Sequence, residues 1–269
     1  MLHISSRELA TVARGPATLS GERAYHPRGA HERRGRQTRS MYDYSRGTPY
    51  VDVRSGTALG ERPAVLGKVL GLLGFAFVFT AGGAVIGRTL GPGGFLLALV
   101  GSFGTLIALQ FLRERAPLNL GLLYGFATFE GMLLGLILEA YVARGLGGVV
   151  LTAAAATAAV SLGAGAYGYT TRRDLSGMRG VLFVGLLGVI VASVVGIFVH
   201  LPLLYVGISA VAAVLFTGFL VFDLNRVATS RGASEGQAIL LAVSVYLDII
   251  NLFLALLRLF GFSAGGRDD

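Results

Sequence analysis

Seven long apolar segments follow one another between residues 64 and 260, and they constrain the fold more than any other feature of this sequence. Each is long enough for a helix to cross a hydrocarbon core about 30 Å thick. Short connections rich in glycine, proline and arginine separate them. We therefore predict an all-α integral membrane protein, a bundle of seven transmembrane helices. The predicted helices cover roughly residues 64–87, 94–112, 118–142, 147–170, 180–199, 202–228 and 237–260.

Composition supports this class and argues against several enzyme classes. Hydrophobic residues make up 54% of the chain and charged residues only 14%, against about 25% in ordinary soluble domains. Cysteine is absent, so the chain has no disulfide, thiolate metal site or cysteine nucleophile. The run "GAGAYG" lies inside an apolar segment and lacks the preceding strand that a dinucleotide site requires. We predict that the protein is not an enzyme.

Residues 1–62 form a basic segment with eleven arginines and six acidic residues. Their composition lacks sustained apolar periodicity, which predicts a disordered tail before a membrane domain at 63–262 and a short tail at 263–269. No apolar core precedes Ala64, so we do not expect the first span to belong to a cleaved signal peptide. The formal charge of +8 then favours contact with anionic membrane lipid over nucleic acid.

The arginines of the connections predict the orientation. Most of them fall on the side of the basic tail, whereas the opposite connections carry Arg88 and Arg144. Since basic residues concentrate on the cytoplasmic side, we expect a multi-pass protein of the cytoplasmic membrane with a cytoplasmic N-terminus. The arginines assigned to that side are Arg113, Arg115, Arg172, Arg173, Arg179, Arg226 and Arg231.

Three acidic residues, Glu130, Asp223 and Asp248, fall well inside predicted spans. An ionisable group at that depth costs at least about 2.5 kcal/mol on insertion scales, which makes it a candidate functional residue. If the last two spans form a hairpin, Asp223 and Asp248 lie about 14 and 18 Å from the turn. The spacing therefore predicts that these two carboxyl groups are neighbours in the middle of the membrane.

Two carboxyl groups in one poorly hydrated site do not easily carry two negative charges. The pair is expected to share one proton, or to be neutralised by Arg113, by Arg226 or by an entering cation. Such a pair would be a pH-sensitive latch between two helices. Oxygen ligands suit a hard cation such as Ca²⁺, so Asp223 and Asp248 are also the candidate metal-binding residues, with no resident cofactor expected.

Asp248, Asn251 and Arg258 recur at helical spacing and share one face of the last span. This polar stripe is either an interhelical hydrogen-bond seam or the lining of an ion route. Glu130 has two interpretations as well: it joins the same polar interior, or it forms an ion pair with an arginine.

Small residues at four-residue spacing occur twice in the third span, as Gly121 with Gly125 and Gly131 with Gly135. Such pairs let helix backbones approach closely in lipid. We assign them to packing within one chain rather than to homodimerisation, and we expect a monomer.

Two motifs near the C-terminus, "VFDLNRV" at 221–227 and "YLDIINLFLALLRLFG" at 246–261, resemble the signature of the transmembrane Bax-inhibitor motif family. The stretches "RRDLS" at 172–176 and "LLYGFATFEGMLLG" at 122–135 are also similar to that family. The resemblance implies a seven-helix bundle whose last helix is central. It also implies a pH-sensitive calcium leak channel of a bacterial membrane, because bacterial members of the family are described in this way.

Carried over to this chain, the family's paired acids correspond to Asp223 and Asp248, and its latch arginine to Arg113. A second-span glutamate found in some relatives corresponds to Ser102, so its role is absent here or has moved to Glu130. Two other functions stay open. The protein could regulate a membrane protease or another membrane partner without transport, or it could exchange calcium for protons.

Overall fold

The computed structural model describes residues 61–199, 201–230 and 232–265. These residues form seven helices and no strand, and all seven helices are long and apolar enough to cross a membrane. The predicted all-α bundle is thereby confirmed. The helices are α1 (Glu61–Gly87), α2 (Gly91–Leu112), α3 (Leu118–Val142), α4 (Gly147–Thr170), α5 (Met178–Val199), α6 (Pro202–Thr229) and α7 (Glu235–Gly265).

The bundle is longer at both ends than the apolar pattern predicted. Helix α1 begins at Glu61, inside the predicted tail, because Pro63 falls in the first turn, where a missing N–H removes no intrahelical bond. Helix α7 continues to Gly265, since no proline interrupts it and Ser263 donates to the carbonyl of Leu259. The predicted disorder of residues 1–60 concerns a part of the chain outside the described residues.

Helix α7 is the centre of the bundle. It packs against α6, α4, α1 and α3. In its apolar stretch 56% of the residues are buried, against 11% in that of α5. Its side chains Ile239, Val245, Tyr246 and Leu252 are almost fully enclosed by the other helices. The prediction of a central C-terminal helix is confirmed.

Glycines bring the backbones of α1 and α3 into direct contact. At four positions a side chain would collide with a carbonyl of the facing helix, so only glycine allows this approach. Gly131 and Gly135 confirm the predicted packing within one chain, whereas Gly121 and Gly125 lie against no facing backbone. Gly83 and Gly87 face the carbonyls of Thr128 and Met132, and Gly131 and Gly135 face those of Thr80 and Ala84.

A capping box defines where α7 begins. The Ser234 hydroxyl accepts the Gln237 backbone N–H at 3.1 Å, and the Gln237 side-chain oxygen accepts the Ser234 N–H at 3.1 Å. Gly232, with φ +62°, makes the turn that reverses the chain after α6. The Ser234 hydroxyl also donates to Glu114 at 2.9 Å, which attaches this turn to the α2–α3 connection.

Candidate functional site

Two buried carboxyl groups meet between α6 and α7. Asp223 and Asp248 are each 6% exposed, and their side chains lie within hydrogen-bonding reach of one another. The hairpin spacing had predicted this proximity, and the structure confirms it. Because one carboxyl group must donate to the other across such a contact, the geometry fits a pair that holds one proton.

Side-chain direction allows this contact although the two residues lie at different distances from their helix ends. Asp223 lies six residues before the end of α6 and Asp248 thirteen after the start of α7, about 9 and 20 Å along the axes. Side chains tilt towards the N-terminus of their own helix. In this antiparallel hairpin the Asp223 side chain therefore tilts away from the α6–α7 turn, and the Asp248 side chain tilts towards that turn. The two carboxyl groups thus approach each other.

Asp223 has its counter-charge on its own helix. The Arg226 Nη1 lies 2.8 Å from Asp223 Oδ1, at the i,i+3 spacing that places side chains side by side. The Arg226 guanidinium also lies over the ring of Phe222, 5.8 Å from its centroid. Since the arginine side chain is 51% exposed and the aspartate side chain only 8%, the pair extends from the buried acids to the exposed surface of the protein.

Arg113 occupies a different position from the one that the latch assignment suggested. It ends α2, and the ion pair that it makes among the described residues is with Glu114, at 3.9 Å. In this structure Asp223 is paired with Arg226 instead, because Arg226 is one turn away on the same helix. The latch role of Arg113 stays a prediction.

A cavity of about 670 Å³ lies between α5, α6 and α7, and both aspartates line it. Asn251 and Arg258 line it as well, so the predicted polar stripe faces a common space. From Asp248 to Arg258 this space extends about 15 Å along α7. The Asn251 amide donates to the Leu247 carbonyl at 2.7 Å, which leaves its side-chain oxygen as an acceptor.

The Asp248 carboxyl is only partly satisfied by protein groups. Its Oδ2 is buried and has no hydrogen-bond partner among the described residues. A buried carboxyl oxygen without a partner costs about 1–3 kcal/mol or more. Asp248 is therefore the member of the pair with spare capacity for a proton or a cation.

Arg258 lines two neighbouring cavities. The second one, of about 320 Å³, is also lined by Arg144 and Tyr141 and lies towards the end of the bundle opposite Arg226. Arg258 makes no ion pair within the part of the chain that the structure describes. Any ion route from the acid pair towards this end would pass a positive charge.

Glu130 forms a separate site between α2 and α3. The Ser102 hydroxyl donates to Glu130 Oε1 at 2.5 Å, and Ser102 itself is 4% exposed. The two positions that the family resemblance connected are thus direct partners. The alternative of an ion pair with an arginine is not formed within the described ranges, where Glu130 has a neutral partner.

A buried tyrosine network on the other face of α7 was not predicted. The Tyr246 hydroxyl lies 2.8 Å from Thr80 Oγ1, and Thr80 in turn donates to the Ala76 carbonyl at 2.8 Å, which makes Tyr246 the donor to Thr80. The ring packs against Phe77 and Phe126. The signal available in the sequence was a tyrosine inside an apolar span, because a buried phenol needs a partner.

The described residues contain no group of three or more histidine, cysteine, aspartate or glutamate side chains that could hold a metal ion. The predicted metal-binding residues, Asp223 and Asp248, thus offer two carboxyl groups, with the Asn251 oxygen lining the same cavity. Ca²⁺ usually takes six to eight oxygen ligands. These three side chains supply only part of such a shell.

Seven apolar helices, with α7 at their centre, define a multi-pass membrane protein. Residues 62–265 match the family model described as "Inhibitor of apoptosis-promoting Bax1", and the chain belongs to this Bax inhibitor-1 family. The predicted family membership is confirmed.

Three bacterial relatives are similar to most of the membrane domain. The chain is 33% identical over 211 residues to "Modulator of FtsH protease YccA" of Escherichia coli (strain K12), covering 77% of this chain and 94% of that protein. It is 30% identical over 235 residues to the protein Cj0236c of Campylobacter jejuni, covering 82% and 96%. A membrane protein of Vibrio cholerae is 38% identical over 171 residues, covering 62% and 75%.

Proposed function

We propose that the protein is a pH-sensitive calcium leak pathway of a bacterial cytoplasmic membrane, with its N-terminus in the cytoplasm. The observation that carries the proposal is the contact of two buried carboxyl groups, Asp223 and Asp248, on the wall of a cavity between three helices. The fold and the family match support a membrane protein of this type.

The charges at the site support a mechanism of competition between a proton and a cation. With one proton shared, Asp223, Asp248 and Arg226 together are neutral, because Arg226 balances the remaining carboxylate. Loss of that proton leaves one uncompensated negative charge and repulsion between α6 and α7. The same charge attracts a cation into the cavity. The proton and Ca²⁺ thus compete for the same oxygens.

The ligand set supports passage of Ca²⁺ as a substrate. Two carboxylates and the Asn251 oxygen replace only part of a shell of six to eight oxygens, so the ion keeps several waters. Arg258, at the far end of the cavity, opposes entry of cations from that side. A slow leak fits this arrangement better than a high-affinity site.

Calcium flux measured against pH tests the proposal. Purified protein is placed in vesicles loaded with a calcium-sensitive dye, and Asp223→Asn and Asp248→Asn are compared with the unchanged protein. We expect flux that depends on pH in the unchanged chain and loses that dependence in both variants.

Asp174→Asn is the matched control, because Asp174 is an exposed loop acid. Its carboxylate accepts the Ser176 backbone N–H at 2.9 Å, and hydrogen bonds from Ser176 lower its pKa. This variant should keep the pH profile of the unchanged chain. An identical pH profile in all four proteins would contradict the sensor role of the pair.

The second candidate function is modulation of a membrane protease. It is supported by the name of the Escherichia coli relative, "Modulator of FtsH protease YccA", which is similar over 77% of this chain. In that case the protein should co-purify with an FtsH-type protease and change its rate of substrate degradation. Flux no greater than that of empty vesicles, together with such a complex, would favour this function over the leak.

A further inference from the structure

A polar cavity of about 420 Å³ lies between the end of α4 and the end of α6, away from the acid pair. Arg172, Arg173 and Tyr169 line it together with Asn225 and Thr229. The proposed leak pathway uses none of these side chains. The chemistry of the cavity therefore needs its own explanation.

The wall of this cavity is held in place by contacts between the two helices. The Asn225 amide on α6 donates to the carbonyls of Gly168 and Thr171, at 3.1 and 3.4 Å, where α4 ends. Gly168 itself lies directly against the Val221 carbonyl of α6. The connection that carries the two arginines thus leaves from a fixed point.

The charge at the cavity is positive and not compensated by an ion pair. Arg172 and Arg173 are exposed and form no ion pair among the described residues. Asp174, the next residue, has its carboxylate engaged by Ser176. Two guanidinium groups and one carboxylate give this region a net positive charge. The carbonyl groups at the C-terminal ends of α4 and α6 carry a partial negative charge that compensates some of it.

The position of the cavity, at the ends of two apolar helices, is where we expect the lipid headgroups. Both flanking helices end there, and Tyr167 and Tyr169 lie in the last turn of α4, as tyrosines do at a membrane interface. This end of the bundle also carries Arg113, Arg115 and Arg179, the arginine-rich side that we expect in the cytoplasm. The cytoplasmic leaflet is the one that presents anionic lipids.

We propose that this cavity binds a phosphate group, with Arg172 and Arg173 as its ligands, and that the phosphate belongs to the headgroup of an anionic phospholipid. A guanidinium presents parallel N–H donors that match two phosphate oxygens. Tyr169 and Thr171 add hydroxyl groups at the same wall. The proposal is independent of calcium transport.

Lipid binding to the full chain in detergent, measured by native mass spectrometry, tests the site. Phosphatidylglycerol and phosphatidylcholine are compared, with inorganic phosphate added as a competitor in a parallel series. We expect preferential binding of phosphatidylglycerol, weakened about 10- to 30-fold by Arg172→Gln with Arg173→Gln. Competition by inorganic phosphate would show that the site takes the free ion as well, and its failure would show that the site requires the lipid.

The matched control is Arg115→Gln with Arg179→Gln, which removes the same charge from the same end of the molecule but outside the cavity. A loss equal to that of the cavity variant would mean general attraction to a basic surface, and the proposal would be wrong. Arg172→Lys with Arg173→Lys keeps the charge without the planar donor groups and should lose part of the affinity.

Thermal unfolding of each variant separates ligand binding from helix capping. If the two arginines only balance the carbonyls at the ends of α4 and α6, Arg172→Gln with Arg173→Gln lowers the unfolding temperature and leaves the preference for phosphatidylglycerol intact. That result also overturns the proposal.

Discussion

The protein places carboxyl groups between helices at two sites, and it compensates them differently. Between α6 and α7, Asp223 has an arginine at 2.8 Å and a second carboxyl group beside it, on the wall of a cavity. Between α2 and α3, Glu130 has one neutral partner, the Ser102 hydroxyl, at 2.5 Å. Both acids lie inside membrane-spanning helices, but Asp223 is almost fully buried and Glu130 only partly.

The difference indicates which site can change state. A charged pair next to a cavity is stabilised in more than one protonation state, because an arginine, a proton or a cation can each balance it. A carboxyl group whose partner is a serine hydroxyl has no counter-charge, and its hydrogen bond joins two helices. The first arrangement is suited to a switch, and the second to fixing how two helices pack.

The largest effect that would sharpen this comparison comes from Arg226→Gln. Removing one partner of a fully buried ion pair lowers the free energy of unfolding by several kcal/mol. Because the Arg226 side chain is half exposed and water screens its charge, we expect a loss of about 2 kcal/mol here. We expect that loss of unfolding free energy at pH 8 and a smaller one at pH 5, because a proton shared by the pair leaves one negative charge near Arg226 instead of two. Denaturant unfolding in detergent at the two pH values measures it.

Arg115→Gln is the control for that measurement, because Arg115 is exposed and has no ion pair among the described residues. Its effect should stay within about 0.5 kcal/mol at both pH values. If Arg226→Gln is as mild as this control, Arg226 does not stabilise the acid pair.

A smaller effect is expected at the other acid, from Ser102→Ala. The change leaves the Glu130 carboxyl without its hydroxyl partner and should cost about 1–2 kcal/mol of unfolding free energy. Replacing both partners, with Ser102→Ala and Glu130→Leu, should recover most of the loss. The pH profile of calcium flux should not move in either variant, and a shift would show that Glu130 belongs to the sensor.

The smallest effect is expected from Tyr246→Phe, on α7 but facing away from the acid pair. The loss of its hydrogen bond to Thr80 should cost about 1 kcal/mol, because Thr80 keeps its bond to the Ala76 carbonyl. A double-mutant cycle with Thr80→Ala isolates the contact. A change in pH dependence as large as that of Asp248→Asn would contradict the separation of the two faces.

Helix positions and the acid pair could be predicted because both depend on local spacing. Apolar runs set the seven spans, and the short α6–α7 hairpin placed Asp223 and Asp248 at similar depth. The counter-charge could not be chosen from the sequence, since Arg113 and Arg226 both lie near the same end. The structure shows that Arg226, one turn away on the same helix, forms the ion pair with Asp223.

Side-chain contacts between different helices were the part that spacing could not provide. The Ser102–Glu130 and Thr80–Tyr246 hydrogen bonds depend on how α2 and α3, or α1 and α7, are rotated about their axes. Many rotations of an apolar helix expose equally apolar faces to lipid, so composition does not select one. The family resemblance related Ser102 to Glu130, but it did not predict that the two side chains are in contact.

The glycine contacts between α1 and α3 restrict how the bundle can move. Each of four glycines fits against a carbonyl of the facing helix, so a slide of one helix by a single residue would bring a bulkier side chain into that gap. These two helices are therefore expected to form the stationary frame of any opening motion. Displacement should concentrate in the sparsely packed α5 and in α6, which border the acidic cavity, and spin labels on those helices would report it.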